Sequence, residues 1–187
     1  MMSLNKYQWA AIVAGLLTPA LYFLSKKKIQ EVNAISSPTY APYRNLRAFL
    51  LMIQYAEGTL GLNAYSTLYG GQLFSDTSRH PNVAITKGGI TSTAAGAYQI
   101  LYKTWQSVQQ TLSLPDFSPI SQDRAAIELI RRRGALDDVF AGRFSVAIYK
   151  CRQEWASLPG AGYGQKERSF ASLVTAYQNA GGNLMEA

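Results

Sequence analysis

The chain has 187 residues, 48% of them hydrophobic, enough for one sizeable core with little left for a second. Its 18 basic residues outnumber 11 acidic ones and leave a formal net charge of +7, which favours an anionic partner: nucleic acid, anionic lipid or an acidic glycan. A lone cysteine, Cys151, excludes an intrachain disulfide framework, and a lone histidine, His80, excludes a metal-ligand cluster of recognisable spacing, so no metal and no cofactor is implied.

From Trp9 to Leu24 the sequence WAAIVAGLLTPALYFL runs sixteen residues without a charge, between Lys6 and the run Lys26-Lys27-Lys28. As a helix it spans about 24 Å, short of the roughly 30 Å hydrocarbon core unless its flanks are drawn into the interface. A lasting anchor, a secretory signal, a weak anchor that later leaves the bilayer and a buried soluble helix are the competing readings. Lysines between the apolar core and the small residues Val32-Asn33-Ala34 are unusual for a cleaved signal, so the expectation is a retained hydrophobic helix with membrane association through residues 9–24. The positive charges that follow it would keep the next domain cytoplasmic. Residues 29–43, with Pro38 and Pro42 and no apolar stripe, read as a linker. The expected organisation is therefore a hydrophobic segment at 1–28, a linker at 29–43 and a globular domain at 44–187.

The domain opens on a helix from Arg44 in which Leu46, Phe49, Leu50 and Ile53 recur at spacings of three and four. The same periodicity brings Glu57, the only carboxylate between Glu31 and Asp76, onto the apolar face. Gly58 then turns the chain away, which would leave an acid at the edge of a core. Burial there raises a carboxyl pKa and suits it to general acid work; the alternative is a helix-end Glu that bends to solvent.

Residues 65–74 read as a short hairpin around Gly70-Gly71, and 75–92, with Pro81, Gly88 and Gly89, as a mobile loop rim. His80, before Pro81, has the setting of a surface or loop-bracing residue, and no Gly-x-Ser-x-Gly elbow supports a triad built on it. A helical stretch follows Thr91 and continues through Trp105 and Val108 to Leu112. The next helix has Ser118 as N-cap and Pro119 at its first position, and runs to Arg131-Arg132-Arg133 before Gly134. Cations at a helix C-terminus have a structural explanation, and neither basic run is interleaved with aromatic residues, so the charge does not read as a nucleic-acid surface. A helix over about Phe144 to Glu154, a glycine-rich loop and a last helix ending at Gly181-Gly182 complete an α+β, mainly helical domain with a small β patch.

Four stretches carry a resemblance: Glu57-Gly58-Thr59; Tyr69-Gly-Gly-Gln-Leu-Phe-Ser-Asp76; Ser92-Thr-Ala-Ala-Gly96-Ala-Tyr98-Gln99-Ile-Leu101; and Trp155-Ala-Ser-Leu-Pro-Gly-Ala-Gly-Tyr163-Gly-Gln165. In this order, over about residues 44–182, they resemble the lambda-type phage endolysins, and the last run is the most specific. The resemblance implies a lysozyme-like fold and a peptidoglycan lytic transglycosylase. Such an enzyme breaks the β-1,4 bond between N-acetylmuramic acid and N-acetylglucosamine, and the muramic 6-hydroxyl closes a 1,6-anhydro ring. It further implies Glu57 as general acid/base, Tyr98 and Gln99 beside the cleft, and Tyr163 and Gln165 on a glycine-rich lip over the glycan.

Packing for Tyr98, a structural role for Gln99 and loop anchoring for Tyr163 and Gln165 are the alternatives, and Trp105 and Trp155 are expected in the core. Asp76, nineteen residues beyond Glu57, is expected to brace the rim, with electrostatic stabilisation as its other reading. A hydrolytic lysozyme using Glu57 and Asp76, and a catalytically silent anchored glycan-binding protein, are the alternatives to the transglycosylase. The expected protein is a monomer of phage or prophage origin at the bacterial inner membrane, acting on periplasmic peptidoglycan. The hydrophobic extension is where the chain departs from the family pattern.

Overall fold

The computed structural model describes residues 41–185, so the apolar segment 9–24 and the linker up to residue 40 lie outside the described residues. Among the described residues no helix is long and apolar enough to cross a membrane. The first helix, α1, spans Ala41–Glu57 and takes in residues 41–43, which the sequence reading gave to the linker. Pro42 does not oppose this, because an amide in the first turn of a helix has no intrahelical acceptor to lose.

Helix α1 is the axis of the domain. Leu46, Phe49, Leu50 and Ile53 are all buried as their spacing requires, and Ala48, Met52 and Ala56 are buried beside them. The buried surface is wider than one stripe because α1 is packed from two sides, by α4 (Leu136–Ala141) and α6 (Phe170–Asn179). Between them in the chain come α2 (Tyr102–Leu112), α3 (Pro119–Arg132) and α5 (Phe144–Cys151). Ser118 caps α3 through the amide of Ser121, with Pro119 at the first position, as the sequence indicated. The short α4 was not expected; at six residues it has less than two turns in which an apolar period can show.

The two named strands lie outside the stretch that the sequence reading gave to a hairpin. β1 (Ile85–Lys87) and β2 (Ile90–Ser92) form an antiparallel pair in which Ile85 faces Ser92, Thr86 faces Thr91 and Lys87 faces Ile90. Gly88 and Gly89, at φ of +59° and +79°, make the two-residue turn between them. So the supposed loop 75–92 holds a hairpin, while 65–74 folds back on itself around Gly70-Gly71 through the bridge of Thr67 to Leu73, without extended strands. Both strands are largely exposed and polar, which leaves no apolar alternation to read. The helical stretch expected after Thr91 begins only at Tyr102, because Ala95 bridges to both Leu68 and Ile100 and Gly96 takes φ of +77°.

Several polar groups that enter the core are paired. His80 is 3% exposed, with Nδ1 accepting from the Asn82 amide at 3.0 Å and Nε2 placed to donate to the Ile100 carbonyl at 2.9 Å. It braces the rim from inside, and burial lowers its pKa, so the neutral ring is the resident form. The arginine run is ion-paired: Arg131 and Arg132 both reach the buried Glu128 carboxylate, at 2.6 and 3.0 Å, and Arg133 reaches Glu154 at 2.6 Å.

Gly96 holds the rim against α3. A Cβ there would run into the Gln122 amide, which cannot withdraw: its Oε1 accepts from the Ala97 amide at 2.9 Å and its Nε2 donates to the Phe117 and Tyr65 carbonyls. Gly96→Ala combines this overlap with a left-handed φ and is expected to cost about 3 kcal/mol. For a domain of this size that is a fall of roughly 10 °C in melting temperature, read by calorimetry.

Candidate active site

Glu57 is the last residue of α1. The helix closes just beyond it: the Gly58 amide, at φ of +74°, bonds the Tyr55 carbonyl at 3.1 Å, and the Thr59 amide bonds the Gln54 carbonyl at 2.9 Å. Thr59 Oγ1 then donates to the Ala97 carbonyl at 2.6 Å, fixing the helix end to the 93–101 segment. The carboxyl is thereby held in the protein rim, partly buried, and Ser157 Oγ donates to its Oε1 at 2.6 Å. Burial pushes its pKa up from 4.5 to about 7, against the opposing pull of the Ser157 hydrogen bond and the positive charge of Arg168. An acid so placed holds its proton near neutrality and can also lose it there, which acid/base work requires.

Ser157 arrives from the far end of the chain by an apolar route. Trp155 and Leu158, on either side of it, are buried, and Trp155 Nε1 donates to the Tyr98 carbonyl at 3.1 Å. The loop that follows uses Gly160, Gly162 and Gly164 at φ of +71° to +76°. Its turns are held by one carboxylate, Glu167, whose two oxygens accept from the Gly160 and Gly162 amides at 2.8 and 2.9 Å. Tyr163 is 56% exposed on this lip with its hydroxyl donating to the Gln153 carbonyl, and Gln165 is exposed beside it. Both therefore present surface to solvent, whatever they bind.

Tyr98 is 1% exposed and belongs to the packing alternative. Its hydroxyl donates to Asp123 Oδ1 and accepts from Gln54 Nε2, so neither its ring nor its hydroxyl is open to a ligand. Gln99, at φ of +46°, is half-buried, and its Nε2 donates to the Thr67 and Gly96 carbonyls at 3.1 and 3.0 Å. The amide nitrogen is thus structural, and its Oε1 accepts no hydrogen bond from the described residues. Asp76 is exposed, and its Oδ1 accepts from the Ser78 amide at 2.9 Å; the Ser78 hydroxyl and then this amide hold its carboxyl below the usual range, so it is ionised and braces the rim. Trp105 and Trp155 are both in the core.

Three contributors were not singled out from the sequence: Ser157, Glu167 and Arg168. Ser157 stands inside the Trp155–Gln165 run, where its proximity to an acid a hundred residues earlier leaves no local mark. A fourth is Asp123, fully buried on α3, whose Oδ1 accepts from both Tyr65 and Tyr98 while Oδ2 is buried without a partner. Burial pushes its pKa up to about 7 although both tyrosines oppose the shift. Among the described residues no three of His, Cys, Asp and Glu meet as a metal ion would require.

The architecture and the chain have known counterparts. The model of the family described as Endolysin matches residues 47–184. The endolysin of Escherichia phage P2 is 46% identical over 161 residues, covering 78% of this chain and 98% of its own. That of Escherichia phage lambda is 42% identical over 147 residues, covering 75% and 93%. A solved structure of the bacteriophage lambda lysozyme complexed with a chitohexasaccharide superposes with a TM-score of 0.73 at 41% identity, over 76% of this chain and 97% of that one.

The raised pKa of Glu57 is also a statement about stability. The unfolded carboxyl ionises near 4.5 and the folded one at about 7, so across that window the folded state binds more protons and is weakened as pH rises. Glu57→Gln removes this term and is expected to melt above the parent at pH 8, by up to about 3 kcal/mol. The difference shrinks toward zero as pH falls below the ordinary Glu range, and thermal melts across pH check it.

Proposed function

Because the chain belongs to the endolysin family, we propose that it is a peptidoglycan-cleaving lytic transglycosylase in which Glu57 is both general acid and general base. One observation supports this most: a carboxyl at the end of a buried helix with a pKa of about 7, hydrogen-bonded to one hydroxyl donor. In the first half of the reaction, protonated Glu57 gives its proton to the glycosidic oxygen as the bond from the muramic C1 to that oxygen breaks. In the second half the muramic 6-hydroxyl oxygen bonds C1 and its proton returns to the Glu57 carboxylate. Atoms balance without water, and Glu57 ends as it began. Ser157 contributes between the two halves, since a hydroxyl donor favours the ionised acid that has just been formed.

The transglycosylase is preferred to a hydrolase because the second half then needs no second carboxylate. Asp76 has its oxygen engaged by the Ser78 amide and its charge exposed to water, a poor setting for a nucleophile or base. The substrate is assigned to peptidoglycan strands because the lambda lysozyme structure holds a chitohexasaccharide, and the same fold here would seat a β-1,4 hexosamine chain. Gln99 Oε1, Tyr163 and Gln165 are the groups offered to it; Tyr98 supports the cleft from beneath. The apolar segment 9–24 precedes the matched region, and we assign it to holding the enzyme at the inner membrane until it acts on periplasmic peptidoglycan. A monomer suffices for all of this.

Glu57→Gln is expected to lower lysis of peptidoglycan by about a hundredfold or more, while Asp76→Asn stays within a few-fold of the parent. Mass spectrometry of the digest should find 1,6-anhydro muramic ends, lighter by one water than reducing ends; reducing ends in their place would return the hydrolase. Fractionation of the whole chain beside one starting at Tyr40 reads the membrane assignment. Only the whole chain should sediment with membranes.

A further inference from the structure

Arg168 follows the glycine-rich lip immediately and reaches back to the helix that carries the acid. Its Nε donates to the Ala56 carbonyl at 3.2 Å and its Nη2 to the Tyr55 carbonyl at 3.3 Å, both in the last turn, where carbonyls lose the regular helical partner and Tyr55 has only the Gly58 amide beside this contact. The guanidinium lies 5.1 Å from the centre of the Tyr55 ring, and the backbone amide of Arg168 donates to the Ser157 carbonyl at 2.8 Å. One residue thus holds both the helix end bearing Glu57 and the residue whose hydroxyl bonds Glu57.

We propose that Arg168 is a positioning residue for the acid/base step: its guanidinium clamps the base of the lip to the last turn of α1 and keeps Ser157 seated on the Glu57 carboxyl. This rests on Glu57 being the general acid/base. A carboxylate at the C-terminus of a helix faces the negative end of the helix dipole, which opposes its ionisation. A cation that caps the same carbonyls offsets that field where it is strongest. The fork geometry matters as well as the charge, because an ammonium is a point donor on a flexible stem whereas guanidinium offers fixed parallel donors.

The other groups around the carboxyl do not duplicate this. The last turn of α1 contributes Tyr55 and Ala56, the lip contributes the Ser157 hydroxyl, and the 93–101 segment contributes the Ala97 carbonyl to Thr59. Glu167, the neighbouring charge in the chain, spends both oxygens on the Gly160 and Gly162 amides. Arg168 is the one charged group that bears on Glu57 among the described residues.

The test is a titration of Glu57, by carboxyl-carbon NMR on labelled protein without substrate, in the parent, Arg168→Gln and Arg168→Lys, beside kcat and KM across pH on peptidoglycan. Removing the cation should raise the Glu57 midpoint, carry the basic limb of kcat/KM upward with it, and lower kcat several-fold with a smaller change in KM. Lysine should hold the midpoint nearer the parent while still losing kcat, because charge survives and the fork does not. If both variants keep the parent midpoint and basic limb and lose activity only as far as their melting temperatures fall, Arg168 is a structural brace and the proposal is overturned. Should the glutamine variant fail to fold, the lysine variant decides: unchanged kcat at parental stability overturns the proposal. Activity retained by Glu57→Gln would instead overturn the acid assignment, so the two failures are distinguishable.

Discussion

The structure depends on keeping one carboxyl group out of water without trapping it in either protonation state. Burial of Glu57 alone would leave a neutral group that carries a proton but is reluctant to part with it. A single hydroxyl, Ser157 Oγ at 2.6 Å, and one cation, Arg168, oppose that burial and bring the balance to about 7. Neither opposing group is on the helix that carries the acid. The site exists only when the end of α1 and the lip from Trp155 onward are brought together.

The rest of the core serves that junction. Tyr98 stands at its centre: its carbonyl receives Trp155 at the start of the lip, its hydroxyl meets Gln54 one turn before Glu57, and that hydroxyl is anchored on Asp123. Tyr65 approaches the same Asp123 oxygen and packs edge-to-face on Tyr98, with ring centres 6.5 Å apart. A buried carboxyl with donors on one oxygen alone gives little net stability, since its desolvation consumes most of what the hydrogen bonds return. What it does supply is direction. Aromatic packing resists displacement but tolerates rotation, whereas a hydroxyl shared between Gln54 and Asp123 has one place to be.

The comparison between expectation and structure is instructive at particular residues. The stripe of Leu46, Phe49, Leu50 and Ile53 located α1 and the inward side of Glu57, because helical periodicity is a local property of the backbone. Ser118 and Pro119 marked the start of α3 for the same reason. The hairpin at 85–92 escaped because its strands are three residues each and mostly exposed, so no burial pattern was written into them. Tyr98 and Gln99 were recognised as a motif, but whether an aromatic beside a glycine faces the glycan or the core depends on neighbours that arrive later in the chain. Here Asp123 and Gln54 take the hydroxyl inward.

By itself, the sequence determined the helix that ends in Glu57, the solitude of that acid, the turn residues around it and the family to which the chain belongs. Each is carried by spacing or by an uninterrupted run of residues. Tertiary structure alone decided that Ser157 and Arg168 would meet Glu57, that Glu167 would hold the lip amides, and that His80 would brace the rim from inside. Those contacts join residues up to 113 positions apart. A hydrogen bond or a field acts through space, and periodicity along the chain does not encode which distant segment will supply it.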